Sequence, residues 1–302
     1  MKQYLDLLQD ILDNGSDRTD RTGIGTRSVF GRQIRFNLHN GFPAVTTKKL
    51  AWKGVVSELL FFLSGSTNEH RLAEIKNDNT PYTELTDKQK RTIWTDNYES
   101  QGKALGYTNG EMGPIYSKQY RCFEGVDQVS NVIEQIKNNP DSRRLLVSAW
   151  NPKDIPSAVL PPCHVLYQFY VDDVNISLMW YQRSVDTMLG LPFNIASYAL
   201  LLHIVARMTN KIPHELIGSL GDTHIYTNHM EQVKEQLTRT PHKLPTLRMP
   251  EIDYANMTID EVLANVKTSD FVLENYECDG IIKAKMAVWN KNNYELYSKV
   301  CQ

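Results

Sequence analysis

Two consecutive prolines, Pro161 and Pro162, stand between strand-like runs in the middle of the chain, and Cys163 and His164 follow them. Strand-like runs cover 145–150 before the pair, and 165–171 and 175–182 after it. Proline fixes φ and has no N–H to donate. Two in a row make a stiff extended element that cannot lie inside a sheet, so the sheet must break here. The next side chain, Cys163, is thereby presented in a fixed direction. A lone cysteine is most often a small buried hydrophobe, so its surroundings decide what it can do.

The 302 residues, 41% hydrophobic and 23% charged, exclude a disordered chain and allow a sizeable core. A net charge of −2 gives no global pointer to nucleic acid or to an acidic membrane. Four cysteines, Cys122, Cys163, Cys278 and Cys301, are scattered without a CxxC pair. That argues for a reducing compartment, with the cytoplasm expected, and against a disulfide scaffold or zinc ribbon. The first residues alternate apolar and charged side chains, which predicts a helix and not a signal peptide. No apolar run is expected to reach the roughly 20 residues of a membrane span.

Tyr4, Leu7, Leu8, Ile11 and Leu12 recur at helical spacing, and Gly15 closes that helix. The glycine-containing loop 20–26, with Arg21, leads to a strand over 28–36. It reads as a plain connection; phosphate binding by its backbone donors is the alternative. Loop 41–49 ends in Lys48 and Lys49, and a helix follows, with Val55, Val56, Leu59, Leu60 and Leu63 as its apolar stripe. Glu58 lies on that helix. Most glutamates are solvated; turned inward, its pKa would rise and it would become a candidate acid or base. Stretch 76–91 is polar and reads as an exposed insertion.

A Gly-rich loop, 106–113, leads to Tyr116. Val126, Val129, Val132, Ile133 and Ile136 mark another helix, followed by a turn and the pair Arg143-Arg144. Such arginines are usually solvated; anion binding by guanidinium is the alternative. After Cys163, Ile176, Leu178 and Trp180 fall on one strand face, and Ser177 and Met179 on the other. Leu189, Gly190, Pro192, Phe193 and Asn194 open a long apolar helix over 195–208. A strand over 216–220 leads to His224 and Tyr226, which share a face in an extended segment. Thr258 and Glu261 have capping-box spacing, and a strand follows over 271–276. With no repeat and no linker, the pattern predicts a single α+β domain.

One mechanism uses these parts together. A cysteine nucleophile works as thiolate, and a nearby cation lowers its pKa. Arg183, two strands on from Cys163, is the leading candidate. Arg21, Arg143 and Arg144 could hold a phosphate. Asn194 offers a donor and an acceptor to a base edge, and Trp94 and Phe193 could wall a flat ring.

These residues fall in DRTGIGT (20–26), GFPAVTTKK (41–49), SELLFFLSG (57–65), GPIY (113–116), DSRR (141–144), LPPCH (160–164), QRSVDTMLGLPFNIASYALL (182–201), GDTHIYTNH (221–229) and IKAKMAV (282–288). With these motifs in order over nearly its whole length, the chain resembles the thymidylate synthase family. The resemblance implies a large mixed β-sheet flanked by helices, with two such sheets packed back to back in a homodimer. It implies methylation of dUMP at C5, with 5,10-methylenetetrahydrofolate as cofactor. Cys163 would attack C6 of the uracil. Arg21, Arg183 and Ser184 would bind the phosphate, with Arg143 and Arg144 reaching in from the other subunit. Gln182 and Asn194 would contact the substrate, and Asn194 would read the O4/N3 edge. His224 and Tyr226 would hold the deoxyribose hydroxyl. Glu58 would organise proton transfers, with Tyr116 and His164 near the nucleophile. Asp186 would contact the pterin, lined by Ile93, Trp94, Leu189, Gly190 and Phe193. Lys48 would lie near the folate's glutamate tail, and Val288 would close the lid.

The chain continues 14 residues beyond Val288, where family members typically end, so 1–288 reads as the catalytic domain and 289–302 as an extension. An altered lid would let water, in place of hydride, add to the methylene carried on C5, giving a dUMP hydroxymethylase as the alternative. A non-catalytic nucleotide- or RNA-binding homologue is the alternative of another class. Neither a membrane nor nucleic acid is required.

Overall fold

A computed structural model describes residues 1–20 and 22–285. Its strands are β1 (Ser16–Arg18), β2 (Thr26–Asn37), β3 (Leu146–Ser148), β4 (His164–Asp172), β5 (Asn175–Asp186), β6 (Ile212–Tyr226), β7 (Thr246–Arg248) and β8 (Val272–Glu274). Its helices are α1 (Lys2–Asn14), α2 (Trp52–Leu63), α3 (Glu69–Lys76), α4 (Asp87–Lys90), α5 (Thr95–Asn97), α6 (Tyr116–Cys122), α7 (Gln128–Asn138), α8 (Gly190–Met208), α9 (Met230–Leu237) and α10 (Ile259–Asn265). The main sheet has the order β1-β2-β6-β5-β4-β3, and β7 pairs with β8 separately. The β5–β6 pair is parallel and the other neighbours are antiparallel, so the sheet is mixed, as expected. Parallel neighbours need a crossover, and α8 supplies it.

The helix α8 is long and apolar enough by composition to cross a membrane, contrary to the sequence expectation. It is instead the core helix: it packs on β5, β6 and α2, and nearly every residue from Leu191 to Met208 is buried. Tyr198 stacks on Trp180 of β5 at 5.2 Å between ring centroids. Trp180 pairs in register with Gly218 of β6, where a Cβ would lie 2.6 Å from two indole carbons. Gly218 is there for space.

Gly15 ends α1 as expected, its N–H donating to the Ile11 carbonyl at 3.0 Å. Its φ of −75° is ordinary, so close approach selects it: a Cβ would sit 2.4 Å from the Ile11 oxygen. The strand β6 is longer than the sequence pattern predicts and carries Asp222, His224 and Tyr226 within it. The seventh helix starts after Val126, because Asp127 caps it by accepting from the Ser130 N–H, and Val126 is exposed. Stretch 76–91 is largely exposed, with Leu85 buried. The sequence reading did not place β1, β7, α3, α4, α5, α6 or α9.

The opposite face of the sheet is not covered by these helices. It holds an open groove of about 470 Å³ lined by residues that include Arg35, Gln168, Tyr170, Met179, His214 and Ile217.

Gly218→Ala forces the Trp180 indole to move within a packed core, at a cost of about 1–3 kcal/mol. Urea unfolding should show a lower midpoint with an unchanged m-value. A midpoint equal to the wild type would mean that the indole relaxes without cost.

Candidate active site

The double proline does what its chemistry requires. It lies outside the ladder, immediately before β4, and leaves Cys163 half-buried at the strand's entrance. The hairpin of β4 and β5 runs out and back, so the end of β5 returns beside its start. There the Arg183 N–H donates to the Cys163 carbonyl at 2.9 Å. The Arg183 side chain turns the same way. Its Nε donates to the Pro162 carbonyl at 2.8 Å and its Nη2 to the Pro161 carbonyl at 2.9 Å. Nη2 then lies 3.9 Å from Cys163 Sγ. On its other side the guanidinium rests 5.3 Å from the centre of the Trp150 ring. Carbonyl oxygens and an aromatic face thus fix a permanent cation beside the thiol, which favours the thiolate.

Tyr116, at the start of α6, holds the backbone of the nucleophile. Its hydroxyl accepts from the N–H of Cys163 at 2.7 Å and of His164 at 3.4 Å. Burial pushes its pKa well above the ordinary value, so it stays a neutral phenol. His164 is buried between the rings of Tyr116 and Tyr198. Burial lowers its pKa to about 4, opposed by a hydrogen bond with Asn194 and helped by the Arg183 charge, so the imidazole is neutral near pH 7.

Glu58 points inward from α2 and is 7% exposed. Burial raises its pKa to about 7, opposed by a hydrogen bond from Trp94. That bond runs from Trp94 Nε1 to Glu58 Oε1 at 2.7 Å. A carboxyl poised near neutrality can take or give a proton at working pH. Trp94 packs edge-on against both Phe62 and Tyr116, which brings Glu58 into the shell around the Cys163 backbone.

Amides form a further wall. Trp180 Nε1 donates to Gln182 Oε1 at 3.1 Å, and Gln182 Nε2 donates to Asn194 Oδ1 at 3.1 Å. This chain assigns both amides and leaves the Asn194 NH₂ as a donor, with a second lone pair on Oδ1. On β6, His224 Nδ1 lies 3.2 Å from Asp222 Oδ1 and 3.3 Å from the Asp222 carbonyl. Both are acceptors, so Nδ1 carries a proton, and Nε2 is left as the ring's second polar atom for a hydroxyl group. The His224 hydrogen bond, with Arg18 assisting, keeps Asp222 below its ordinary pKa. Tyr226 follows on the same face, its ring 5.2 Å from that of His224.

Asp186 Oδ1 accepts from the Met188 and Leu189 N–H groups at 3.0 and 3.1 Å, and so shapes the turn into α8. Beyond it Leu189, Gly190 and Phe193 are partly exposed. A Cβ on Gly54 would be 3.3 Å from the Phe193 ring, so α2 closes on that ring. Ile93 is 41% exposed.

A family profile described as Thymidylate synthase matches residues 2–288. The chain belongs to the thymidylate synthase family. The thymidylate synthase of Enterobacteria phage T4 is 52% identical over 293 residues, covering 95% of this chain and all 100% of that protein. The thymidylate synthase of Aster yellows witches'-broom phytoplasma is 48% identical over 297 residues, and that of Listeria monocytogenes is 44% identical over 321, each with 95% of this chain and 100% of the relative covered. The crystal structure of thymidylate synthase from phage T4 superposes with a TM-score of 0.88 at 52% identity, over 95% of this chain and 100% of that one.

Within this family frame, the fold gathers Cys163, Arg183, Tyr116, His164, Glu58, Trp94, Gln182 and Asn194 around one centre. Ser184 and Asp186 pair in register with Asp222 and His224 on β6. The remaining expected residues lie elsewhere or outside the described part of the chain. Arg143 and Arg144 are exposed just before β3, where the Leu145 carbonyl accepts from Phe169. That is six strand positions from Cys163, or about 20 Å, so one chain does not bring them to its own thiol. Lys48 is buried, with Nζ donating to the Met188 carbonyl. Burial lowers its pKa to about 8. Arg21 and Val288, with the extension 289–302, lie outside the described residues. Sequence reasoning missed Trp150, which backs Arg183 from the end of the 145–150 run; no spacing rule links those two positions.

Two outcomes follow from the electrostatics. Between 4.5, the ordinary value, and about 7, folded Glu58 keeps a proton that the unfolded chain has released. Stability then falls as pH rises through that window, by on the order of 3 kcal/mol. His164 has the opposite slope, its contribution being lost as pH falls from 6.5 to about 4. Glu58→Gln removes the first slope and leaves the second. Urea unfolding at a series of pH values measures this, and parallel curves for the two proteins would contradict a buried, up-shifted Glu58. Separately, Arg183→Gln withdraws the cation from the thiol, so alkylation of Cys163 by iodoacetamide should need a more alkaline pH. An unmoved pH–rate curve would show that Arg183 does not activate it.

Proposed function

We propose that the protein is a thymidylate synthase, converting dUMP to dTMP by reductive one-carbon transfer to C5. The observation that carries this reading is the Arg183 guanidinium held by the Pro161 and Pro162 carbonyls beside Cys163, with Asn194 and Glu58 in the same shell. C5 of uracil is a poor nucleophile until a thiolate adds at C6. Cys163 Sγ bonds to C6, the C5=C6 electron pair moves toward O4, and C5 gains carbanion character. The Asn194 NH₂ is the donor for O4, and its Oδ1 accepts from N3–H. A cytosine edge has the opposite pattern at these atoms, so the site favours uracil. Tyr116 fixes the nucleophile's backbone, the neutral His164 packs beside it, and Glu58 passes protons near pH 7. His224 and Tyr226 hold the deoxyribose hydroxyl.

The phosphate falls to Arg21, Arg183 and Ser184, with Arg143 and Arg144 supplied by a second copy. Their distance from Cys163 within one chain and the open groove on the far sheet face support a homodimer packed sheet to sheet. A reduced folate suits the apolar, partly exposed wall of Ile93, Leu189, Gly190 and Phe193, closed by Trp94, with the Asp186 carboxylate beside it. Bound there, 5,10-methylenetetrahydrofolate supplies the one-carbon unit and the hydride. The chain's part is to stack that ring, exclude water and meet polar atoms with Asp186. The unit we propose is a catalytic domain over 1–288, with Val288 in its lid and 289–302 as an extension. The cytoplasm is its setting, which relatives from phage and bacteria support.

Product analysis with dUMP and 5,10-methylenetetrahydrofolate tests the reading. Expected products are dTMP and dihydrofolate; 5-hydroxymethyl-dUMP with tetrahydrofolate would make it a hydroxymethylase. Cys163→Ser should lower turnover by a thousandfold or more, on the order seen when a nucleophile is removed. Retained turnover would exclude the covalent route.

A further inference from the structure

Glu69 opens α3, a position where a glutamate ordinarily faces water beside the helix N-terminus. Here it is 3% exposed. It is turned against the segment that presents Trp94. Its Oε1 accepts from the Thr92 hydroxyl at 2.8 Å and also from the Thr95 hydroxyl. Each hydroxyl then accepts in turn: Thr92 Oγ1 from the Trp94 N–H at 3.1 Å, and Thr95 Oγ1 from the Thr92 N–H at 2.8 Å. A hydroxyl has one proton. With that proton given to Glu69, the rotor is fixed and its lone pairs face the backbone. One carboxylate oxygen thus ties both ends of the turn whose side chain donates to Glu58. The three-residue α5 has too few hydrogen bonds to hold this shape by itself.

We infer that Glu69 is a positioning residue for the reaction: through Thr92 and Thr95 it sets where the Trp94 indole N–H meets the Glu58 carboxyl. The inference rests on the role given to Glu58 above. Lys76 and Tyr82 are titratable groups that interact with Glu69; Tyr120 is one that faces Glu58, to which the non-titrating Trp94 indole donates. None of these replaces the two threonine contacts. The arrangement explains why a charged side chain is buried in the first turn of α3: it takes two hydroxyl donors, which are the partners a buried carboxylate needs.

The test compares Glu69→Leu, which removes the acceptor, with Glu69→Gln, which keeps a carbonyl oxygen. For Glu69→Leu, kcat should fall about tenfold, as expected when a catalytic group loses its alignment. KM for dUMP should stay within about twofold, because the change is not in substrate binding. The Glu58 carboxyl, followed by carbon NMR, should titrate at a higher pH once the indole donor is displaced. Glu69→Gln should retain the wild-type kcat and titration. In a Trp94→Phe background, Glu69→Leu should add nothing to either readout. An unmoved Glu58 titration in Glu69→Leu, or an equal shift in the Trp94→Phe background, would overturn the inference. If Glu69→Leu does not fold, Thr92→Val and Thr95→Val each remove one link and give the same two-sided reading. The NMR titration needs no turnover. A protein that fails to methylate dUMP but shows the Glu58 shift would refute the proposed reaction and leave the positioning role standing.

Discussion

The contact between Arg183 and the carbonyls of Pro161 and Pro162 is the constraint on which the site depends. The prolines keep this stretch out of the sheet, so its carbonyls are open to a side-chain donor. Arg183 takes both, and its charge then lies against the thiol that follows them. The contact exists because β4 and β5 form a hairpin that returns the chain to its own start. Most of the large sheet serves to keep that return in register: β6 pairs along β5, and α8 packs over both through Trp180 and Tyr198.

Around this charged contact the ionisable neighbours are buried. Glu58 and His164 are both buried, and burial moves them in opposite directions, to about 7 and about 4. The same cause therefore leaves an imidazole neutral and a carboxyl able to change state near neutrality. Two nearby groups receive different roles from one environment, because desolvation disfavours whichever form is charged. Trp94 moderates the effect by giving Glu58 one donor, and Glu69 holds Trp94 in place from a third element.

Much of the site was legible in the chain. Cys163 was marked by its prolines, His224 and Tyr226 by their spacing of two, and Glu58 by its place among leucines. Arg183 followed from the need for a cation. The fold was legible where periodicity was strong, as in α1, α2 and α8. It was not legible where short elements depend on partners. The strands β1 and β7 are three residues each and gain their hydrogen bonds from β2 and β8, which no local pattern announces. The buried state of Glu69 was invisible for the same reason, since its two donors lie more than 20 residues along the chain.

By itself the sequence determined which groups carry chemistry and which segments are stiff or apolar, because rotamers, φ restrictions and side-chain acidity belong to single residues. It also determined the family, through motifs that keep their order. The tertiary structure decided direction and protonation. It turned Glu58 and Lys48 inward, set Arg143 and Arg144 at the far end of β4 from Cys163, and lined the amides of Gln182 and Asn194 into one polarity. Those outcomes depend on what packs against each group and on how much water is excluded. Both are properties of residues distant in the chain that meet only when the sheet is complete.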